Sequence, residues 1–378
     1  MAQAQRIQEK GDFEMRPEDL KKIKQIFAAY YEIAEFSIPS LEQREFGVGN
    51  VKKIDARHLD FANLSAFRTY LCNNTPLFVS HSAAYYGFPG ATPMQKKQWK
   101  GADLIFDLDI HAEGRYGAYP KLDEIKEDLQ RLVNDFLLND FGIKREHITT
   151  VFSGNRGYHV HVRDPAYIAL GGDERRELVD YIMGQGLNYG DFFRFTDTSP
   201  KKLMGPVPEE GGYRGRLARK TIQVLENKPT RLSRLFSKKE KRDFFVGGIR
   251  EGNWSKTSLK LNDLLSRLQA VAESLPVSSV NTDAGVTQDL SKLIRVPNSI
   301  HGETGLVAKI VKDVDSFQPL RDALLESPTE IKIKFLEDVP ELAIKDETTG
   351  FRKGDVRELS QPVALFYILK GSAELYKN

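Results

Sequence analysis

The sequence predicts a mixed α/β (α+β) fold interrupted by a smaller helical insertion, and three observations carry that expectation. Short β-rich runs alternate between apolar and polar side chains, amphipathic stretches of helical period lie between them, and one interval is far more basic than the rest. At 378 residues the chain has room for two or three domains. We place a core in 15–185 and 280–378, with the insertion at 186–279.

Residues 1–14 are polar and aperiodic and read as a flexible tail. After Pro17, the residues Leu20, Ile23, Phe27, Tyr30, Tyr31 and Ala34 recur at helical spacing. Leu104 to Ile110 alternates apolar residues with Asp, as a strand does. A helix follows over Leu122 to Phe141, with Gly142 placed to end it. His147 to Phe152 and Tyr158 to Val162 read as two strands joined by the turn Ser153-Gly154-Asn155-Arg156-Gly157. Ile331, Ile333 and Phe335 alternate with Lys332 and Lys334 in a half-buried strand, and a short apolar stretch covers Val363 to Leu369. The chain has no internal repeat.

Formal charge is +2, which gives no overall attraction for a polyanion. From Arg214 to Arg242, however, eleven Lys or Arg face only Glu226 and Glu240, so nine positive charges sit there and the remainder carries −7. Such a run is either a solvated helical face or a track for a phosphate backbone. The one cysteine, Cys72, excludes a disulfide framework and a Cys-based zinc site within the chain. No stretch approaches a membrane span and the first residues lack an apolar signal core, so we expect an intracellular protein with no membrane partner.

Asp107 and Asp109 stand two apart on a strand, so both side chains leave the same face about 6.6 Å apart at Cα. Paired hard oxygen donors suit Mg²⁺ or Mn²⁺. The turn from Ser153 to His159 combines two glycines with Ser, Arg and His, the residue types that bind phosphate. Further on, Asp289 precedes a segment carrying Lys292, Arg295 and His301 around Pro297. Each of these also has a plainer reading: a wet strand face, an ordinary hairpin turn, and surface charges on a loop.

Taken together and in this order, the segments resemble the catalytic small subunit of archaeal and eukaryotic DNA primases. The resemblance rests on Asp107-x-Asp109, on Ser153-x-x-x-Gly157-x-His159, and on Asp289 before Leu293-Ile294-Arg295-x-Pro297-x-Ser299-x-His301. Arg44-Glu45-Phe46, Arg57-His58-Leu59, Ser82-Ala83-Ala84-Tyr85-Tyr86, Gly101-Ala102-Asp103 and the run from Ala364 to Gly371 extend it over nearly the whole chain, 186–279 excepted.

The resemblance implies a primase-type catalytic core of mixed sheets and flanking helices. It implies nucleotidyl transfer: template-directed synthesis of short primers on single-stranded DNA from nucleoside triphosphates, with two metal ions, to initiate replication. DNA polymerase activity is a further possibility. On this reading Asp107, Asp109 and Asp289 hold Mg²⁺ or Mn²⁺. Ser153, Arg156, His159, Arg295 and His301 grip the triphosphate, Arg57 joins them, and Glu45 lies nearby. The implied partner is a large primase subunit that carries an iron–sulfur cluster, and the implied location is the cytoplasm at the nucleoid. Family members commonly carry a Cys-rich zinc module between the aspartate strand and the Ser-Gly turn; 111–146 has no Cys, so no structural zinc is expected. Two alternatives stay open: a related primase-polymerase that extends ends in repair, and a non-catalytic nucleic-acid-binding subunit.

Overall fold

The computed structural model describes residues 15–277, 282–345 and 347–376, and the expected tail at 1–14 lies outside the described residues. The chain divides into two units, one of Met1–Lys126, Glu146–Arg175 and Asn281–Asn378, the other of Glu127–Arg145 and Arg176–Val280. The second unit therefore takes 127–145 and 176–185 as well as the whole stretch read as an insertion.

In the first unit, helix α1 (Pro17–Ile33) opens on a proline, whose missing N–H costs nothing in a first turn, with Glu18 and Asp19 at its positive end. Strands β1 (Phe46–Gly49) and β2 (Ala56–Leu59) are followed by helix α2 (Leu64–Asn74), which the Asn63 side chain caps through Ala66 N–H. Next come β3 (Phe78–Ser82) and the paired strands β4 (Ala84–Tyr86) and β5 (Trp99–Ala102). Strand β6 (Leu104–Asp109) has the expected alternation: Leu104, Phe106 and Leu108 are buried, while Asp107 and Asp109 are partly open. Helix α3 (Glu124–Gln130) continues as a wider π-type turn over Arg131–Asp140, closed by Phe141 N–H on the Phe136 carbonyl, and Gly142 takes the positive φ of 66° that ends it. β7 (Ile148–Phe152) and β8 (Gly157–Val162) form the expected hairpin, and β6 pairs with the other edge of β8, so the strand order is β6-β8-β7.

The second unit holds most of helix α4 (Gly172–Ile182), the short strands β9 (Arg194–Phe195) and β10 (Leu203–Met204), and helices α5 (Gly212–Asn227), α6 (Lys239–Arg250) and α7 (Leu261–Ala272). Rings of Phe136, Tyr181 and Tyr213 meet edge to face at 5.3–5.9 Å in its core. Not every cation of the basic run is solvated. Arg216 is buried over Phe136 and Tyr213, 4.3 and 4.4 Å from the ring centres, and pairs with Asp140 at 2.6 Å. Arg219, Lys220, Lys228, Arg231, Arg234, Lys238 and Lys239 are exposed.

The chain then returns to the first unit with helix α8 (Ala284–Gln288) and strand β11 (Leu293–Arg295), which pairs with β3 and completes a sheet of order β11-β3-β1-β2. The remaining elements are α9 (Pro319–Asp322), β12 (Glu330–Phe335), β13 (Val339–Ile344), β14 (Glu347–Phe351), β15 (Val356–Ser360), α10 (Gln361–Leu369) and β16 (Ala373–Leu375). Along β12, Ile331, Ile333 and Phe335 are buried and Lys332 and Lys334 exposed, as the alternation predicts.

A buried charge cluster fixes the start of β6. Asp103 accepts hydrogen bonds from Arg44 (2.9 Å), Arg163 (3.2 Å) and the Tyr85 hydroxyl (2.5 Å). Arg175 donates to the carbonyls of Ala102 and Asp103, both at 2.7 Å. A buried carboxylate is tolerable only with such donors, and together they pin the strand that carries Asp107 and Asp109.

Candidate active site

Asp107 lies directly across from His159 on β8, and Asp109 across from Gly157. A side chain at 157 would run into the aspartate, since a Cβ there would sit 2.2 Å from Asp109 Oδ1; only glycine leaves room. Asp107 Oδ1 lies 3.5 Å from His159 Nε2, and Asp109 Oδ2 lies 3.5 Å from Arg156 Nε. Burial pushes the Asp107 carboxyl up to about 6, with the charge of Asp283 adding to the rise. Burial and Asp107 also raise Asp109. Asp107 Oδ1 is buried with no hydrogen-bond partner.

Further lining comes from the turn after β7 and from the segment that begins at Arg295, the last residue of β11. Gly154 adopts a φ of 80°, and a Cβ there would lie 2.9 Å from the His301 Cβ, so glycine lets the turn pack straight onto 301. Thr304 Oγ1 locks the two together by donating to the Gly154 carbonyl at 2.6 Å. The backbone N–H of Glu303 donates to His301 Nδ1 at 3.1 Å, which leaves Nε2 as the protonated nitrogen of the neutral ring. Burial holds His301 well below the usual histidine range and lowers His159 to about 4, so both are neutral N–H donors at pH 7. Arg295 is buried 5.5 Å from the Phe78 ring centre, its NH1 is without a partner, and burial brings it down to about 10.

These groups line one cavity of about 420 Å³, within the range of small-molecule sites. Asp107, Asp109, Ser153, Arg156, His159, Arg295 and His301 all border it, seven of the residues expected from sequence. The cavity also takes Lys53, Ser80, Asn155, Lys292 and Glu303. Of these, Lys53 had no signal beyond being one lysine of a pair in a polar loop.

Two expected residues stand elsewhere. Arg57 Nε bonds Glu45 at 2.8 Å, and the buried Glu45 also accepts the His58 N–H at 3.1 Å and faces the Lys97 ammonium at 3.4 Å. Burial raises Glu45, but the Arg57 hydrogen bond and the charges of Arg57 and Lys97 outweigh it and hold the carboxyl below its ordinary value. Asp289 is exposed at the C-terminal end of α8, accepts from Ser291 N–H (2.8 Å) and Oγ (2.7 Å), and exerts its charge on Arg57 and Tyr86. At the opposite end of α8, the backbone N–H of Asp283 donates to the Asp107 carbonyl at 3.0 Å and Thr282 bridges Leu108. Asp289, expected as the third carboxylate, does not border the cavity, and the carboxylate beside Asp107 is Asp283. Asp283 also caps α8 through Gly285 N–H, an ordinary role that gave it no prominence in the sequence.

Among the described residues, no three His, Cys, Asp or Glu side chains by themselves enclose an ion. The unpartnered Asp107 oxygen and the carboxylates around it nonetheless fit an open magnesium-type site, which keeps positions for water and phosphate oxygens.

The profile of the DNA primase small subunit matches residues 106–313. The DNA primase small subunit PriS of Methanococcoides burtonii is 34% identical over 93% of this chain and 97% of its own length. This chain belongs to the DNA primase small-subunit family. The proteins of the same name from Archaeoglobus fulgidus and Methanosphaerula palustris are each 33% identical, over 93% and 96% of the chain. Membership settles the fold class as mixed α/β and the broad chemistry as nucleotidyl transfer. The profile spans the aspartate strand, the glycine turn and the Arg295–His301 segment, the parts that build the cavity.

Proposed function

We propose that this primase small subunit catalyses template-directed joining of nucleoside triphosphates into short primers on single-stranded DNA. The observation that carries the reading is one cavity lined both by carboxylates and by cationic and N–H donors, with His159 against Asp107 and Arg156 against Asp109. Arg156, His159, Arg295 and His301, with the Ser153 hydroxyl, bind and orient the triphosphate, and burial of His159, Arg295 and His301 strengthens their interactions by excluding water. Asp107, Asp109 and Asp283 hold divalent cations. Those ions, when bound, supply charge neutralisation at the reacting phosphate and an activated primer hydroxyl. Catalysis is then positioning plus electrostatics, and Glu45 holds the Arg57 side chain through its Nε.

The proposed partner is a large subunit that carries the iron–sulfur cluster, since Cys72 alone supplies no cluster site. The exposed cations between Arg219 and Lys239 hold the template strand, and the protein works in the cytoplasm at the nucleoid. The test is incubation of the purified chain with single-stranded template, Mg²⁺ or Mn²⁺ and labelled nucleotides, without primer. Labelled oligomers that vanish with chelator support the reading. Extension only of pre-formed ends would favour a repair polymerase, and no product from any substrate would favour a scaffold.

A further inference from the structure

Lys370, at the C-terminal end of α10, is unexplained by any role assigned so far. Its ammonium leaves the helix and lies 4.8 Å from the Tyr119 ring centre, 5.9 Å from that of Phe366 and 3.5 Å from Asn155 Oδ1. Asn155 sits between Ser153 and Arg156 in the phosphate turn, lines the cavity, and accepts a hydrogen bond from the Tyr119 hydroxyl at 3.1 Å. The electrostatic neighbours of the ammonium converge on the same place. Glu303 attracts it, Arg156 and Arg115 repel it, and its own charge helps depress His301. Three of these four groups, Arg156, His301 and Glu303, border the cavity.

We propose that Lys370 is a further substrate-binding residue, which reaches past Asn155 to hold the terminal phosphate of the incoming nucleotide; this rests on the nucleotidyl-transfer reading given above. A lysine can swing on a flexible stem, whereas the turn and the 295–301 segment are fixed by packing. The neighbourhood is consistent with a cation awaiting an anion. Burial lowers Lys370 to about 8, and a nearby phosphate would restore its charge. A cation at a helix C-terminus also has a purely structural use, as a partner for the last carbonyls. That use predicts a change in stability and none in nucleotide affinity.

The experiment measures steady-state kinetics and nucleotide binding for the wild-type chain, Lys370→Met and Lys370→Arg, using ATP, ADP and AMP. Removal of one charge-assisted hydrogen bond predicts an ATP KM raised roughly tenfold to a hundredfold in Lys370→Met, with AMP affinity unchanged and most of the effect restored in Lys370→Arg. In the wild type, ATP binding at pH 8.5 should take up about half a proton or more, read by calorimetry in two buffers of different ionisation enthalpy. Lys370→Arg should abolish the uptake while keeping affinity. An unchanged KM in Lys370→Met, or no proton uptake by the wild type, overturns the assignment, and the second readout needs no variant to fold. A wild-type chain that makes no templated product would instead overturn the underlying reading.

Discussion

The pairing of Glu45 with Lys97 lends itself to a quantitative test. Both side chains are fully buried, with Nζ 3.4 Å from Oε2, while Arg57 shares the carboxylate from a position 37% exposed. Glu45→Gln keeps the shape and removes the charge, leaving the Lys97 ammonium buried without its counter-ion. Breaking a buried pair in this way costs about 3–5 kcal/mol, whereas the half-exposed Arg57 pairing adds at most about 1 kcal/mol. We therefore expect about 4 kcal/mol less stability in urea unfolding at pH 7. The double variant Glu45→Gln/Lys97→Met should recover much of that, because both desolvated charges are gone. The pH dependence has a definite sign. Glu45 is held below its ordinary value, so its contribution is present above the unfolded-state pKa and is lost as pH falls through the folded one. The wild type should converge on Glu45→Gln below about pH 4. A change under about 1 kcal/mol for the single variant, or strict additivity in the cycle, would refute the reasoning.

Asp283→Asn should lower kcat by about a hundredfold or more at saturating Mg²⁺, while Asp289→Asn stays within a few-fold, measured by primer synthesis; equal reductions would undo the assignment of Asp283. Asp107→Asn should abolish synthesis yet raise stability at pH 7 by about 2–3 kcal/mol, because a carboxyl at about 6 pays its desolvation above that pH and not below pH 4. The gain should shrink in unfolding curves taken at pH 5. Gly154→Ala meets both a positive φ and the His301 Cβ, so nucleotide KM should rise about tenfold with the carboxylates untouched. Neutralising Lys228, Lys238 and Lys239 should flatten the salt dependence of single-stranded DNA binding by about 0.7 for each phosphate no longer neutralised; an unchanged slope would remove the template role from that segment.

The parts of the fold that were legible in sequence are those governed by local period. Alternation in 104–110 and 331–335 gave strands with the correct faces, and the glycine turn gave the hairpin. The carboxylate pair and the glycine turn that line the cavity followed from residue type and spacing, and Arg295 and His301 from the family resemblance. What escaped depended on direction and on distant packing. Asp283 and Asp289 flank a five-residue helix, and nothing local says which end points at β6; the bridge from Thr282 to Leu108 decides it. Glu45 and Lys97 lie 52 residues apart, and nothing local in the sequence marks either as the other's buried partner. Lys53 lines the cavity from a loop outside every motif, and Lys370, within the Ala364–Gly371 run, meets Asn155 across more than two hundred residues, so spacing carried no trace of either contact.

Strand β11 has its place in the sheet only through β3, with Arg295 opposite Ser80 across more than two hundred residues of chain. During synthesis on the ribosome, the aspartate pair and the glycine turn emerge long before Arg295 and His301 exist. The nascent chain must therefore wait with half a cavity and an unpaired β3 edge through the synthesis of the whole helical unit. Such long-range closure is slow, and an open edge invites mispairing. Nucleotide binding thus becomes a late event, a natural reporter of completed folding, and ATP should rescue refolding yield only after the 293–301 segment has joined the sheet.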